Sequence, residues 1–325
     1  MIAPFPVKRS LNMQIICVGD LCCDLIVPYG RMQEALSRGD ISRETTEQLL
    51  VRMQCGGSVG NVARHLGRLN AHPVFVTPLK RDSLGEYLSS EMEKMGVNMD
   101  WTVPSGKSNM YCIGVLDRSG ERTMFCFVPP WADYPRFEAS GFDRIPEEPG
   151  QFLFTSGMAM LDDPVNNEAV LSFFARRKAA GATIVFDLNI RAESYGYEGE
   201  RRRAVEKMIA LSDILLGSGA EEFSQVTGTE KIHEAAALLR GQGAGTVIAR
   251  DGGSPILILG PKTDEYIPVR PVTPVSTLGA GDSFDAMFLY RIASGDNIGQ
   301  AVRKAADYAG AYISTGEAAF GGCGS

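Results

Sequence analysis

Asp282 follows two glycines in the segment TLGAGD at 277–282, and this combination is suited to phosphoryl transfer. Glycines let the backbone turn tightly and bring its N–H groups close to an anion. The apolar spacing after Asp282 predicts a helix that begins here, and a helix N-terminus favours bound phosphate. A carboxylate at this place can accept the proton of an attacking hydroxyl. The same segment is also compatible with a plain loop in which Asp282 caps the helix.

A second glycine-rich loop lies near the start of the chain and also leads into a predicted helix. Gly56 and Gly57 precede Asn61, and an apolar stripe with helical spacing follows. Asn61 either caps that helix or offers its amide, which is both donor and acceptor, to substrate hydroxyls. His65, on the same helix, is expected to be either packed or exposed and not to act in catalysis, because no acid or nucleophile is near it in sequence.

Several polar side chains follow predicted strands, where α/β sheets bind their ligands. Asp24 comes just after the apolar run 14–20, and its carboxylate can accept hydrogen bonds from two neighbouring sugar hydroxyls; a solvated turn is the alternative. Asp187, Asn189 and Arg191 alternate at the end of a strand predicted over 183–191, which favours one shared direction toward phosphate, metal or substrate. A structural ion-pair cluster is the other interpretation of these three residues.

An acidic residue after the next predicted strand is a candidate for magnesium. Glu222 or Glu221 can hold the ion through water, a usual mode for this strongly hydrated cation. The alternative is the favourable placement of acids at a helix N-terminus. Three arginines follow one another at 201–203 and are expected to lie on the solvated face of a helix.

The elements that carry these residues alternate between strand and helix, which predicts an α/β fold with a mostly parallel sheet in a single domain over 1–325. Residues 108–128 interrupt the alternation, because two apolar runs flank a polar, glycine-bearing turn and form a predicted hairpin. Together with a strand near Leu25, this hairpin is predicted to form a small sheet from segments 22–30 and 108–128. Such a sheet can cover a site or pair with a second subunit.

Composition narrows the function further. A chain of 325 residues with a net charge of −7 argues against a nucleic-acid or anionic-membrane partner. It has no apolar run of about 18 residues and no signal-like start, so we expect a cytoplasmic protein. It has no GxxxxGK[ST] loop, so we do not expect a P-loop protein. Seven cysteines form no CxxC pair, and we expect buried free thiols instead of disulfides or zinc.

Taken together, the loops at 56–61 and 277–282 resemble the two signatures of the ribokinase-like, or PfkB, family of carbohydrate kinases. The resemblance continues through the segment 187–191 and Glu222 in the same order, and it covers residues 15–314. It implies a three-layer α-β-α sandwich with a mostly parallel central sheet and a small β-sheet lid over the sugar. It also implies transfer of the γ-phosphoryl group of Mg-ATP to a primary hydroxyl.

The same resemblance implies roles for individual residues. Asp282 matches the catalytic base, and the backbone of Gly279, Ala280 and Gly281 matches the anion hole. The substrate-binding positions are Asp24, Gly56, Gly57 and Asn61, and the positions near the phosphates and magnesium are Asn189 and Glu222. Adenine is expected near Arg250, Gly252, Thr277 and Tyr308.

Departures from the family pattern and the choice of substrate leave alternatives open. Ser276 stands where family members usually carry an aspartate that helps to hold a monovalent cation, so we expect little activation by potassium. The segment 187–191 resembles that of fructose and 2-keto-3-deoxygluconate kinases, and Arg191 is suited to pair with the carboxylate of a sugar acid. A nucleoside kinase of the same fold and a non-catalytic ligand-binding regulator are the alternatives. We expect a homodimer formed through the lid.

Overall fold

Fourteen short strands form the sheets of the computed structural model, which describes residues 13–118, 122–127, 135–148 and 150–315. The strands are β1 (Ile15–Val18), β2 (Cys22–Val27), β3 (Arg52–Gly56), β4 (Val74–Val76), β5 (Pro78–Leu79), β6 (Val103–Pro104), β7 (Met110–Leu116), β8 (Arg122–Phe127), β9 (Phe152–Ser156), β10 (Thr183–Asp187), β11 (Ile214–Ser218), β12 (Thr246–Arg250), β13 (Ile256–Gly260) and β14 (Thr263–Ile267).

Eleven helices connect and flank these strands within the described residues. They are α1 (Tyr29–Arg38), α2 (Arg43–Gln48), α3 (Ser58–Arg68), α4 (Ser83–Lys94), α5 (Pro164–Ala179), α6 (Ala192–Tyr195), α7 (Gly199–Leu211), α8 (Ala220–Thr227), α9 (Ile232–Gly241), α10 (Ala280–Ala293) and α11 (Ile298–Thr315). Two short 3₁₀ turns are also present, at Ala139–Phe142 and Gly157–Ala159.

The central sheet has eight strands in the order β14-β13-β12-β11-β10-β9-β1-β4. The six strands from β12 to β4 run parallel; β13 pairs with β12 in the antiparallel sense, and β14 pairs with β13 in the same sense. This confirms the mostly parallel sheet predicted from the strand-helix alternation. Parallel strands bring their carboxyl ends to one edge of the sheet, so the polar residues that follow β1, β10, β11 and β12 meet there.

Both faces of the central sheet are covered, which confirms the three-layer arrangement. Side chains alternate along each strand, so Ile15 and Cys17 belong to one apolar core while Ile16 and Val18 belong to the other. The first core contains the apolar sides of α3, α10 and α11, and the second contains those of α5, α7 and α9. The two helix layers therefore hold the strand ends in fixed positions around a cleft.

The predicted small sheet is also present, and it has four strands in the order β3-β2-β7-β8. In its register Asp24 lies beside Gln54 on one side and Cys112 on the other. Strand β3 was not predicted, and α1 begins at Tyr29, so the first lid strand is shorter than segment 22–30. Residues 119–121 and 128 of the predicted hairpin lie outside the described residues.

Two local predictions were wrong. The strand predicted over 183–191 ends at Asp187, and both Asn189 and Arg191 adopt positive φ angles, 34° and 47°. The side-chain alternation of a β-strand therefore does not determine where Asn189 and Arg191 point. Arg201 was expected on a solvated helix face, but it is 4% exposed and its guanidinium donates to the carbonyl oxygens of Met160 and Ile190.

Candidate active site

A cleft of about 410 Å³ lies between the carboxyl edge of the central sheet and the small sheet. The ends of β10, β11 and β12 and the first turns of α3 and α10 contribute to its wall. Its lining includes most of the residues singled out from the sequence, namely Asp24, Gly57, Asn61, Asp187, Asn189, Arg191, Glu222, Arg250, Thr277, Gly279, Ala280, Gly281 and Asp282. The fold thus brings together motifs that are up to 258 positions apart in the sequence, from Asp24 to Asp282.

The turn before α10 presents the N-terminus of this helix to the cleft. Gly279 is the N-cap with a φ of 76°, a conformation that glycine adopts without strain. A Cβ atom built on Gly281 would meet no atom within 4 Å, so open space lies beside this glycine. The unpaired N–H groups of the first helical turn and the macrodipole make this end of α10 suited to an anion.

Asp282 lies in the first turn of α10, and its side chain contacts a residue of the other glycine-rich motif. The Asn61 side-chain nitrogen donates to Asp282 Oδ2 at 2.8 Å. Burial raises the pKa of Asp282 to about 6, while the Asn61 hydrogen bond and the charge of Arg191 oppose that rise. A carboxylate with a pKa near 6 is largely ionised at neutral pH and still basic enough to accept a proton.

The first turn of α3 explains how Asn61 is free to face Asp282. Asp20, which the sequence analysis did not single out, accepts hydrogen bonds from the backbone N–H groups of Ser58 at 2.7 Å and Val59 at 3.1 Å. This aspartate therefore satisfies the N-terminus of α3, a role that Asn61 was alternatively expected to fill. Gly57 has a φ of 93°, and a Cβ there would lie 2.7 Å from the Asp20 carbonyl oxygen.

Asp24 projects from the small sheet into the opposite wall of the cleft and is 9% exposed. It is therefore not the solvated turn residue that was the alternative. Its carboxylate rests against Gly56, because a Cβ atom on this glycine would lie 2.5 Å from Asp24 Oδ1. Gly56, which has no side chain, thus leaves room for the Asp24 carboxylate.

Asp187 belongs to a buried ion-pair cluster at the floor of the cleft. Arg250 Nη2 lies 2.9 Å from Asp187 Oδ1, and Arg250 Nη1 lies 2.6 Å from Asp285 Oδ1. The same guanidinium donates to the carbonyl oxygens of Gly217 and Gly281, each at 3.3 Å. The structural interpretation therefore holds for Asp187, and Arg250 ties β10, β11 and β12 to the start of α10.

Asn189 and Arg191 lie above this cluster on the cleft surface. The Asn189 side-chain nitrogen donates to Ser58 Oγ at 2.5 Å, and Arg191 Nε donates to Asn189 Oδ1 at 3.0 Å. Arg191 is exposed and is the N-cap residue of α6. Its guanidinium is therefore available on the same side of the cleft as Asp282.

Of the two candidate acids after β11, Glu222 lines the cleft and Glu221 is exposed. The Glu222 carboxylate accepts from the backbone N–H groups of Ile190 and Ser218, both at 2.9 Å, and so links two loops at the sheet edge. Burial and the nearby charge of Asp187 raise the pKa of Glu222 to about 7.

Two predicted nucleotide positions do not lie on the cleft wall. Tyr308 is 3% exposed, and its hydroxyl lies 3.1 Å from His65 Nδ1 in the core between α3 and α11. His65 is accordingly packed, which is one of the two placements expected for it. Gly252 has a φ of 54° in an exposed turn after β12, and it is not part of the cleft lining.

Comparisons with known proteins agree with this geometry. The sequence profile of the pfkB family carbohydrate kinases matches residues 12–321. Aminoimidazole riboside kinase of Salmonella typhimurium is 28% identical over 73% of each chain, and 5-dehydro-2-deoxygluconokinase of Shouchella clausii is 24% identical over 86% of each. A crystal structure of Vibrio cholerae O395 fructokinase with fructose, ADP and calcium superposes with a TM-score of 0.77 at 24% identity over 94% of both chains. The chain therefore belongs to the pfkB family of carbohydrate kinases.

Proposed function

We propose that this protein transfers the γ-phosphoryl group of Mg-ATP to a primary hydroxyl of a sugar or sugar acid, with Asp282 as the general base. One observation carries the proposal: Asp282, with a pKa near 6, lies at the N-terminus of a helix and faces the same cleft as Asp24. A binding protein has no need of a base at this place, which argues against a non-catalytic regulator.

The cleft suits the nucleotide and its metal ion. ATP supplies the phosphoryl group and Mg²⁺ the charge that neutralises it. The turn Gly279–Gly281 and the open space beside Gly281 would accommodate phosphate oxygens. Glu222 and Asn189 would hold magnesium and phosphates from the facing wall, with Glu222 acting through water because both of its oxygens already accept backbone hydrogen bonds. Thr277 lines the cleft and would lie toward the adenine, whereas the Arg250 guanidinium is held in its ion pairs and Gly252 lies outside the cleft wall.

The side chains of the cleft divide the remaining work between binding and proton transfer. Asp24, supported by Gly56, would accept hydrogen bonds from two substrate hydroxyls. Asn61 and Gly57 would position the end of the substrate that carries the primary hydroxyl. Asp282 would accept the proton of the primary hydroxyl. Asn61 keeps the Asp282 carboxylate oriented and lowers its pKa, so the base stays ionised before substrate binds.

Two substrate classes follow from the relatives. A hexulose or a keto sugar acid is favoured, because the exposed guanidinium of Arg191 faces the cleft and matches a carboxylate or a row of hydroxyls. A riboside with a free primary hydroxyl is the second candidate, since one relative is named for aminoimidazole riboside. Ser276 is exposed and uncharged, so we expect little activation by potassium.

We also propose that the protein is cytoplasmic and that it forms a homodimer through the small sheet. Met53 and Phe125, which are 49% and 48% exposed, lie in one cross-strand row with Leu25 and Ile113 and therefore on one face. The cysteines whose side chains are described are buried and form no disulfide, which suits a reducing compartment; they are Cys17, Cys22, Cys23, Cys55 and Cys112. No helix in the described part of the chain is long and apolar enough to cross a bilayer.

The test is ADP formation from Mg-ATP across a panel of hexoses, keto sugar acids and ribosides, followed by identification of the phosphorylated carbon. We expect rapid turnover of one class and a phosphate ester at its primary carbon. Phosphate on a secondary hydroxyl, or ATP hydrolysis that no panel compound accelerates, would contradict the proposal.

A further inference from the structure

Three side chains that can bind a metal lie together on the cleft face of the small sheet. Cys22 and Asp24 are two positions apart on β2 and so share a face, and Cys112 lies directly beside Asp24 on β7. Cys22 Sγ is 3.9 Å from Cys112 Sγ and 3.5 Å from Asp24 Oδ1. One ligand atom from each residue lies within 4.8 Å of the other two, and all three residues are buried.

These distances match the edges of a zinc coordination tetrahedron. With Zn–S bonds of about 2.3 Å and Zn–O bonds of about 2.0 Å, two sulfur ligands are roughly 3.8 Å apart and a sulfur and an oxygen roughly 3.5 Å apart. The Cys22–Cys112 and Cys22–Asp24 distances already have these values. Thiolates are soft ligands that magnesium and calcium do not prefer, so the donor set selects a thiophilic cation.

The surroundings of the cluster favour a preformed arrangement. Met110 and Met124 pack against Cys22 and Cys112 in a small apolar cluster of the sheet. Gly56 supports the Asp24 carboxylate from behind, as described above. Because the three ligands belong to two hydrogen-bonded strands, little reorganisation is needed to surround an ion.

We propose that Cys22, Asp24 and Cys112 form a binding site for Zn²⁺ or a similar thiophilic divalent cation, with a fourth position open to the cleft. On binding, the two thiols release their protons to solvent and form metal–sulfur bonds, and no electrons are transferred. The site departs from the sequence-based expectation that the cysteines do not bind zinc, because spacing along the chain does not reveal neighbours on paired strands.

Occupancy of this site has a consequence for substrate binding, which rests on the proposed function. An ion on Asp24 takes up the carboxylate oxygens that would receive the sugar hydroxyls. Zinc therefore competes with the sugar, and the sugar excludes zinc. Binding of the metal itself does not depend on the kinase activity.

The first experiment titrates the reduced protein with Co²⁺, whose thiolate complexes give charge-transfer absorption, and then adds Zn²⁺ to displace it. We expect one equivalent of cobalt with thiolate bands in the wild type and in Cys23→Ser, the matched control on the opposite face of the same strand. The bands should vanish in Cys22→Ser/Cys112→Ser. Absence of thiolate bands in the wild type, or their persistence in the double variant, overturns the site.

A single-cysteine variant and a zinc inhibition assay complete the test. If the double variant does not fold, Cys112→Ser alone should weaken cobalt binding more than tenfold, and unchanged affinity overturns the proposal. In the kinase assay, Zn²⁺ should inhibit competitively with the sugar, and Cys112→Ser should raise its inhibition constant more than tenfold. Metal binding without this competition overturns only the link to the sugar. Failure of the proposed function shows as missing turnover while the cobalt bands persist.

Discussion

Replacing Asp282 by asparagine is predicted to make the protein more stable at neutral pH while removing its base. In the folded protein the pKa of Asp282 is raised from 3.8 to about 6, first of all by burial. The ionised carboxylate therefore destabilises the folded state whenever the pH is above the pKa that Asp282 has in the unfolded chain. Asparagine carries no charge, and its side-chain oxygen can still accept the hydrogen bond from Asn61.

The size and pH dependence of this gain follow from the two pKa values. The rise of the pKa from 3.8 to about 6 corresponds to about 3 kcal/mol above pH 7, where the carboxylate is ionised in both states. Since Asp282 is only partly buried and solvent screens its charge, we expect about 2 kcal/mol. At pH 5, between the folded and unfolded pKa values, the gain should be about half as large, and below pH 4 it should disappear.

Urea unfolding of the wild type and Asp282→Asn at pH 5 and pH 8 measures both quantities. Asp100→Asn, an exposed position away from the cleft, is the matched control and should leave the unfolding free energy within about 0.5 kcal/mol. An Asp282→Asn protein that is less stable than the wild type at pH 8, or whose gain does not change with pH, would refute the electrostatic reasoning.

Three further perturbations test other parts of the site. Asn61→Ala removes the hydrogen bond that lowers the pKa of Asp282, so the acidic limb of kcat/KM should move to higher pH, and an unmoved limb contradicts this assignment. Gly281→Ala adds a methyl group that meets no atom within 4 Å, so unfolding should be unaffected while kcat falls more than tenfold; normal turnover would show that no phosphate uses this space. Arg250→Met leaves Asp285 buried without its cation and should lower the unfolding free energy by about 3–5 kcal/mol in urea titrations at pH 8; a loss below about 1 kcal/mol argues against the ion-pair cluster.

The sequence predicted the site best where backbone conformation constrains the residue type. Gly57 and Gly279 both have positive φ angles at the N-cap of a helix, so a glycine before an apolar helical stripe marks the same geometry in each case. The order of strands and helices then predicts that both helices begin at the carboxyl edge of the sheet. The contact between Asn61 and Asp282 follows from this arrangement.

What the sequence could not predict depends on which face of an element meets its neighbours. Tyr308 and Tyr312 are one helical turn apart on α11, and both pack against His65, because that face of the helix is turned toward α3 and away from the cleft. Periodicity alone does not say which neighbour an apolar face meets. Asp20 was likewise missed, since a carboxylate that caps a helix 38 positions later gives no local signal.

The small sheet shows the same limit for strands. Its hairpin was evident from two apolar runs around a polar turn, but β3 was not, because its residues Arg52 and Met53 are exposed and its pairing partner lies 30 positions earlier at Asp24. The proximity of Cys22 and Cys112 arises from another long-range pairing, that of β2 with β7. Such juxtapositions depend on register, which one sequence does not specify.

The central claim is that Asp282 acts as the base in phosphoryl transfer to a sugar hydroxyl. The measurement that tests it most directly is steady-state kinetics of Asp282→Asn with the substrate found in the panel, together with the dissociation constant for ATP. Loss of a general base lowers kcat by about 10²–10⁴-fold, and the affinity for ATP should change less than threefold. A variant that keeps most of the wild-type kcat would contradict the account.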